Sequence, residues 1–429
     1  MRLATHLCQL LAGARFRQLF AVRVTSQLGD GILQVALASY VLFSPERQPD
    51  AAAIAGALAA VLLPFSVLGP IAGVFLDRWS RRQVLLLSNV IRLLPVLAVA
   101  VLVAADVSGT ALFVAVLLAF SINRFFLAGL SAALPHVVER DELVLANSVT
   151  PTSGTIAFIV GLGLASVARG VLPGGEPDVI IVCVAALVYA AAALLTTRLP
   201  RDLLGPDFDP ERPDVRRALA NVTGGLLAGL AHLRERRRAA YALGVIAAHR
   251  FCYGLSTVAT ILLYRNYFND PADTDAGLAG LSIAILVSGL GFLTAAVVTP
   301  IATARISPQR WIVVLLLAAA GCEVFPGALY TEPSLLVAAF VLGVSAQGVK
   351  ICVDTLVQIG VEDAFRGRVF SLYDVVFNVV FVAAAALGAV IVPSNGKSYG
   401  VVAIIAVGYA ATAAAYAGAV RADGSAQAA

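Results

Sequence analysis

Charge is scarce in this chain. Asp, Glu, Lys and Arg make up 13% of its 429 residues, about half the share usual for a soluble globular protein. A soluble chain of this length needs a charged shell over its core, and this one has too few charges to form it. With 60% hydrophobic residues and a mean hydropathy of +0.90, the composition is that of a polytopic membrane protein. Lysine is nearly missing: Lys350 and Lys397 are the only two, against 28 arginines. Together with the abundance of alanine, that bias fits a GC-rich bacterial genome. The net charge of +4 is small and scattered, which excludes an electrostatic nucleic-acid footprint. Five cysteines (Cys8, Cys183, Cys252, Cys322 and Cys352) show neither metal-ligand spacing nor a disulfide framework, and four fall in apolar runs. They read as small core residues. The apolar run near Met1 is short and broken by His6 and Gln9, which fits a short interfacial helix better than a cleaved signal peptide.

Enzyme signatures are missing as well. There is no His-Glu-x-x-His, no Gly-x-Ser-x-Gly, and only four histidines. Gly396-Lys397-Ser398 resembles the end of a phosphate-binding loop, but Ile391 stands where its first glycine belongs. No stretch is long enough for a soluble nucleotide domain, which excludes an ATP-driven pump. No enzymatic activity, cofactor or metal is expected.

Twelve continuous apolar runs are present, at about 18–43, 52–76, 83–105, 110–134, 145–168, 178–198, 239–264, 277–304, 311–330, 334–358, 369–393 and 399–420. Each satisfies the roughly 20 residues that a helix needs to cross a hydrocarbon core about 30 Å thick. Their continuity, in place of ten-residue alternation, predicts helices and not a barrel. With a cytoplasmic N-terminus, twenty-one basic residues from Arg2 to Arg421 fall on the inner side. Only Arg47, Arg169, Arg265 and Lys397 fall outside. The positive-inside rule therefore predicts both termini in the cytoplasm.

The chain repeats itself at an offset of about 226 residues: Arg23 matches Arg250, Arg124 matches Lys350, and Arg140 and Ser148 match Arg366 and Asp374. Two six-helix halves are expected, 1–198 and 239–429, as in many secondary transporters. The linker 199–238 begins Pro- and Asp-rich. It continues at helical spacing through Val215–Leu233 and ends in Arg234-Glu235-Arg236-Arg237-Arg238. This predicts either an amphipathic helix on anionic lipid or a solvated connection.

Nine charged residues fall inside the predicted spans: Arg23, Asp30, Arg92, Arg124, Arg250, Glu323, Lys350, Asp354 and Asp374. At roughly 2.5–3.5 kcal/mol for each central charge, lipid exposure of all nine would cost on the order of 25 kcal/mol. Arg23 and Asp374 lie near a predicted surface and can snorkel; the others must face one another or a wet cavity. Asp30, at the middle of the first span, has three readings. It is a proton-coupling acid tuned by Arg124, a permanent structural ion pair with Arg124, or a direct substrate contact. Glu323 has no helix partner four residues away and is a second proton-coupling candidate. Lys350 and Asp354 share a helix face and can pair with each other. Arg92, Arg250, Lys350, Asp354 and Asp374 complete a candidate cavity charge network. Phe125, Phe126, Phe251, Tyr253, Tyr373 and Phe377 suit either an amphiphile pocket or plain packing.

Between the second and third spans runs Gly73-Val74-Phe75-Leu76-Asp77-Arg78-Trp79-Ser80-Arg81-Arg82. The pattern Gly-x-x-x-Asp-Arg-x-x-Arg-Arg at this place resembles the signature loop of the major facilitator superfamily. The resemblance implies an all-α fold of two pseudo-symmetric six-helix bundles that rock around a central cavity. It also makes Gly73, Asp77, Arg78, Arg81 and Arg82 a conformational latch. Leu134-Pro135, Ala146-Asn147-Ser148 and Arg366-Gly367-Arg368-Val369-Phe370-Ser371 resemble the branch containing macrolide-efflux proteins and the enterobactin exporter. Arg124 stands near the place of the fourth-span arginine linked to proton transfer in drug–proton antiporters. Gly161-Leu162-Gly163-Leu164-Ala165-Ser166 lacks the proline of the fifth-span antiporter motif.

These features predict a secondary active transporter of the bacterial plasma membrane: a proton-coupled, multidrug-type antiporter exporting small amphiphilic molecules. Its partners are then the substrate, protons and membrane lipids, with a monomer expected and no nucleic acid. Lipid or lysophospholipid translocation and proton-coupled import are the alternatives, and a non-transporting scaffold or sensor is a remoter one.

Overall fold

The computed structural model describes residues 10–37, 50–59, 62, 79–105, 107, 109–171, 177–205, 222–270 and 274–428. These residues are helical, with no strand among them. In chain order the long helices are α1 (Ala14–Leu37), α2 (Arg81–Ala104), α3 (Thr110–Ala133), α4 (Leu143–Val171), α5 (Pro177–Thr197), α6 (Val222–Glu235), α7 (Arg237–Asn266), α8 (Thr274–Thr303), α9 (Pro308–Val324), α10 (Glu332–Gly360), α11 (Asp363–Ile391) and α12 (Tyr399–Ala428). Ten helices among the described residues are long and apolar enough to cross a membrane. Beside them stands α1, which carries Arg15, Arg17, Arg23 and Asp30. The predicted second span lies mostly outside the described residues. Helix α6 occupies the end of the linker expected to be helical.

The described residues fall into two compact units. The first draws on 10–37, 79–232 and 361–372, the second on 50–62, 233–360 and 373–428. Helix α11 thus gives its opening turns to the first unit and the remainder to the second.

In the first unit α1 packs on α4 and α5, and α2 on α3 and α5. The α1–α4 crossing is made by backbone, not side chains. A Cβ on Gly31 would stand 1.9 Å from the Phe158 carbonyl oxygen, and one on Gly161 would stand 2.3 Å from that of Leu28. Small residues let membrane helices approach until dispersion and backbone contacts hold them, since lipid offers no hydrophobic drive between helices. One apolar core of this unit is built from Phe16, Leu19, Val22, Leu85, Phe126, Leu130 and Leu134.

In the second unit α7 packs on α8, α10 and α12, and α9 on α10 and α12. Here α7 meets α11 where Gly254 lies against Phe381 and Ala384, and α8 meets α10 at Gly291 and Gly343. Ser307 caps α9 by accepting from the Arg310 backbone N–H, with Pro308 in the first turn. In both units large apolar side chains face outward: Leu94 and Leu187 are each 70% exposed and Val390 is 82% exposed. On a soluble protein such belts would be an aggregation surface; on helices of this length they are the lipid face.

Candidate functional site

Asp30 lies buried in α1 with its donors drawn from three helices. On Oδ1 it accepts from Arg92 Nη1 of α2 at 2.8 Å and from the Tyr189 hydroxyl of α5 at 2.8 Å. On Oδ2 it accepts from Gln27 Nε2, one turn earlier on its own helix. Arg92, itself fully buried, donates Nη2 to Asn123 Oδ1 of α3 at 2.7 Å. Its guanidinium lies 4.7 Å from the centre of the Tyr189 ring and 5.6 Å from that of Phe126. Ser26 and Asn89 extend the polar strip, with Ser26 donating to Asn89 Oδ1 at 3.0 Å. The close α1–α4 approach and Gly29, against which the Tyr189 ring packs, hold these groups in register. A buried charge is tolerated only when paired and hydrogen-bonded, and this pair has both.

The ion pair corrects the expected partner. Two of the three sequence readings of Asp30 make Arg124 its partner, but the ion pair is made by Arg92. Helix geometry gives the reason: the α3 residue turned toward the network is Asn123, and the next residue, Arg124, points about 100° further round the helix.

A second cluster sits at the start of α2, in the same unit. Arg81 is fully buried and donates Nη1 to Asp363 Oδ1 at 2.9 Å and to the carbonyls of Ala132 and Leu204, each at 3.1 Å. Asp363 Oδ1 also takes Arg366 Nη1 at 2.5 Å, and His136 Nε2 lies 2.9 Å away. Arg81, His136 and Arg366 therefore meet on one carboxylate, while the turn at 201–205 is tied to the cluster through Arg81. Arg82 is half-buried and donates to the Thr197 carbonyl at 2.9 Å. Of the predicted latch, Gly73, Asp77 and Arg78 lie outside the described residues.

The remaining predicted residues lie in the second unit. Lys350 Nζ pairs with Asp354 Oδ2 at 2.5 Å along α10 and lies 5.6 Å from the Tyr373 ring centre. Arg250 stacks over Phe377 at 4.0 Å and Phe381 at 4.2 Å, a cation–π arrangement that shields the charge inside the bundle. Asp374 is half-buried, and its carbonyl accepts from Asn378. Glu323 is buried near the end of α9. The described residues contain no cluster of His, Cys, Asp and Glu able to hold a metal ion.

These charges lie inside helical bundles whose outer faces are apolar. The family model of the Major Facilitator Superfamily matches residues 19–385. The chain belongs to the major facilitator superfamily. It is 37% identical over 387 residues to an uncharacterized MFS-type transporter of Mycobacterium bovis, covering 89% of this chain and 86% of that one. An uncharacterized MFS-type transporter of Mycobacterium tuberculosis matches with the same identity and coverage. Among solved structures it resembles the human organic anion transporter MFSD10 (TETRAN), with a TM-score of 0.68 at 15% identity, covering 93% of this chain and 99% of that one. It also resembles a bacterial homologue of the iron transporter ferroportin in an outward-facing state, with a TM-score of 0.67 at 17% identity, covering 94% and 99%. At these identities the likeness is one of fold. The chain is thus a multi-pass membrane transporter of this superfamily.

Sequence reasoning missed Tyr189, Asn123, Asn89 and Ser26 around Asp30, and His136 and Asp363 around Arg81. Tyr189 carried a signal, as the lone hydroxyl in the run Ala185-Ala186-Leu187-Val188-Tyr189-Ala190-Ala191-Ala192. Asp363 stands three residues before Arg366, the spacing of a helical ion pair. His136 carried no such mark.

Proposed function

We propose that this transporter is a proton-coupled exporter of small amphiphilic molecules, either drugs or secreted metabolites, working as a monomer by alternating access. Its setting is the bacterial plasma membrane, with both termini cytoplasmic. The observation that carries the reading is the Asp30–Arg92–Tyr189 network. Proton and guanidinium compete for the same Asp30 oxygens. When the carboxylate is ionised it holds Arg92 and accepts from Tyr189; when it takes a proton the charge that held Arg92 is gone, and both donors become available to a substrate. That exchange supplies differential contacts for two states, which coupling requires. The sequence resemblance to the macrolide-efflux and enterobactin-exporter branch supports the export direction.

The test is proton release from acidified inverted vesicles containing wild type or Asp30→Asn, challenged with cationic and neutral amphiphiles. Substrate-triggered release by wild type alone supports the reading, and unchanged coupled transport in Asp30→Asn overturns it. A second reading, translocation of lysophospholipid, draws on the exposed arginines Arg234, Arg236, Arg237 and Arg238 at the α6–α7 junction, which suit an anionic headgroup. Lipid-stimulated transport without proton dependence would favour it.

A further inference from the structure

Among the described residues, Glu323 differs from Asp30 in having no cation paired with it. It is buried, one of its oxygens has no hydrogen-bond partner among the described residues, and Ser256 of α7 lies within hydrogen-bonding reach. It lines a cavity of about 60 Å³ together with Ser256, Thr260, Tyr330 and Ser398. One water needs about 10–15 Å³ of such space and two to four polar partners, so the chamber has room and partners for a few waters. Glu323 is the one carboxylate among the residues that line it, and the described residues hold no cluster of His, Cys, Asp and Glu for a metal ion.

The chamber is closed at one end. Tyr330 accepts through its hydroxyl from the Ser398 backbone N–H at 3.0 Å. Gly396, at φ +77°, packs so tightly on α7 that a Cβ would stand 2.6 Å from the Leu263 nitrogen. Beside this closure Lys397 Nζ donates to the Tyr267 hydroxyl at 2.8 Å.

We propose that Glu323 is the proton-binding group of a hydrated chamber in the second unit, entered past the Tyr330–Ser398 closure and separate from the Asp30 network. An ionised carboxylate in low dielectric without a cation is expensive, and the group escapes that cost by taking a proton. Water in the chamber is the donor. The titratable groups near it are Cys252 of α7, Cys322 on its own helix, Tyr330 of the connection and Tyr409 of α12. The α10 wall is apolar, built from residues such as Leu335, Ala338 and Leu342. The Tyr409 hydroxyl also lacks a partner among the described residues, which suits it to receive a hydrogen bond from the protonated acid.

The test is infrared difference spectroscopy of the purified full chain in lipid across a pH titration, in wild type, Glu323→Gln, Asp30→Asn and Tyr330→Phe. The expected result is a protonated-carboxyl band that is lost on alkalinisation, absent in Glu323→Gln and retained in Asp30→Asn. Its shift in heavy water should be several-fold faster in Tyr330→Phe, where the closure loses its hydrogen bond. As a check independent of Glu323→Gln folding, a hydrophobic carbodiimide should label wild type at Glu323 in acid and not in alkali. Wild-type spectra identical to Glu323→Gln, or absence of that labelling, overturn the proposal. Loss of the band only in Asp30→Asn also overturns it while leaving the Asp30 reading intact. Retention of the band in Asp30→Asn with uncoupled transport separates the two sites.

Discussion

Asp30 accepts from an arginine, a tyrosine and a glutamine, and those donors differ in what their loss does. Removing the Tyr189 hydroxyl deletes one hydrogen bond to an ionised acceptor, worth about 1.5–3 kcal/mol, and leaves the ion pair in place. Replacing Arg92 by methionine strands a buried carboxylate, at about 3–5 kcal/mol. Thermal unfolding in detergent should therefore rank Arg92→Met below Tyr189→Phe, with Asp30 the shared cause. Adding Asp30→Asn to Arg92→Met should recover part of the loss, because the stranded charge is then gone. A coupling term of about 0.5–3 kcal/mol is expected for groups in direct contact, and strict additivity would show that the two side chains do not act as a pair. Arg81 poses the same question at Asp363, where three cationic or polar groups share one oxygen. Asp363→Ala should loosen the first turn of α11, read as faster amide exchange there, with α12 unchanged.

At the scale of helices, the two glycines of Gly161-Leu162-Gly163 make a matched comparison. A methyl at Gly161 meets the Leu28 carbonyl at 2.3 Å, whereas one at Gly163 meets nothing within 4 Å. Gly161→Ala should force α1 and α4 apart and destabilise the protein by about 1–3 kcal/mol, while Gly163→Ala stays within about 0.5 kcal/mol. Equal melting temperatures for the two variants would contradict the close crossing. The same pair shows what the sequence makes legible. Long apolar runs placed α1–α5 and α7–α12, with ends off by up to eight residues, because crossing a bilayer demands length and leaves the backbone one way to satisfy its hydrogen bonds. Which glycine touches a neighbour was not legible, since both sit in the same run and only the crossing distinguishes them. Nor was the partner of Asp30. Arg92 and Arg124 lie on α2 and α3, which pack on each other, and the choice turns on one step of helical phase that no spacing along the chain encodes. Lys350 and Asp354 were legible because their relation is local to one helix.

Over the whole chain, topology rests on charge, and the charge bias is steep enough to test at two points. The α6–α7 junction carries Arg234, Arg236, Arg237 and Arg238 within five residues, whereas the connection between α11 and α12 offers Lys397 alone. Basic residues near span ends are retained on the inner side, which predicts the first point in the cytoplasm and the second outside. In a variant whose five cysteines are replaced by alanine, a single cysteine at the exposed Ser394 should react with a membrane-impermeant maleimide added to intact cells. One at the exposed Glu235 should react only after the membrane is opened or in inverted vesicles. The reverse pattern would turn the molecule over and place the Tyr330–Ser398 closure, beside Ser394, on the cytoplasmic side. Glu323 would then exchange its proton with the cytoplasm. The labelling result therefore fixes the side on which the Tyr330–Ser398 closure opens to Glu323 before any substrate is identified.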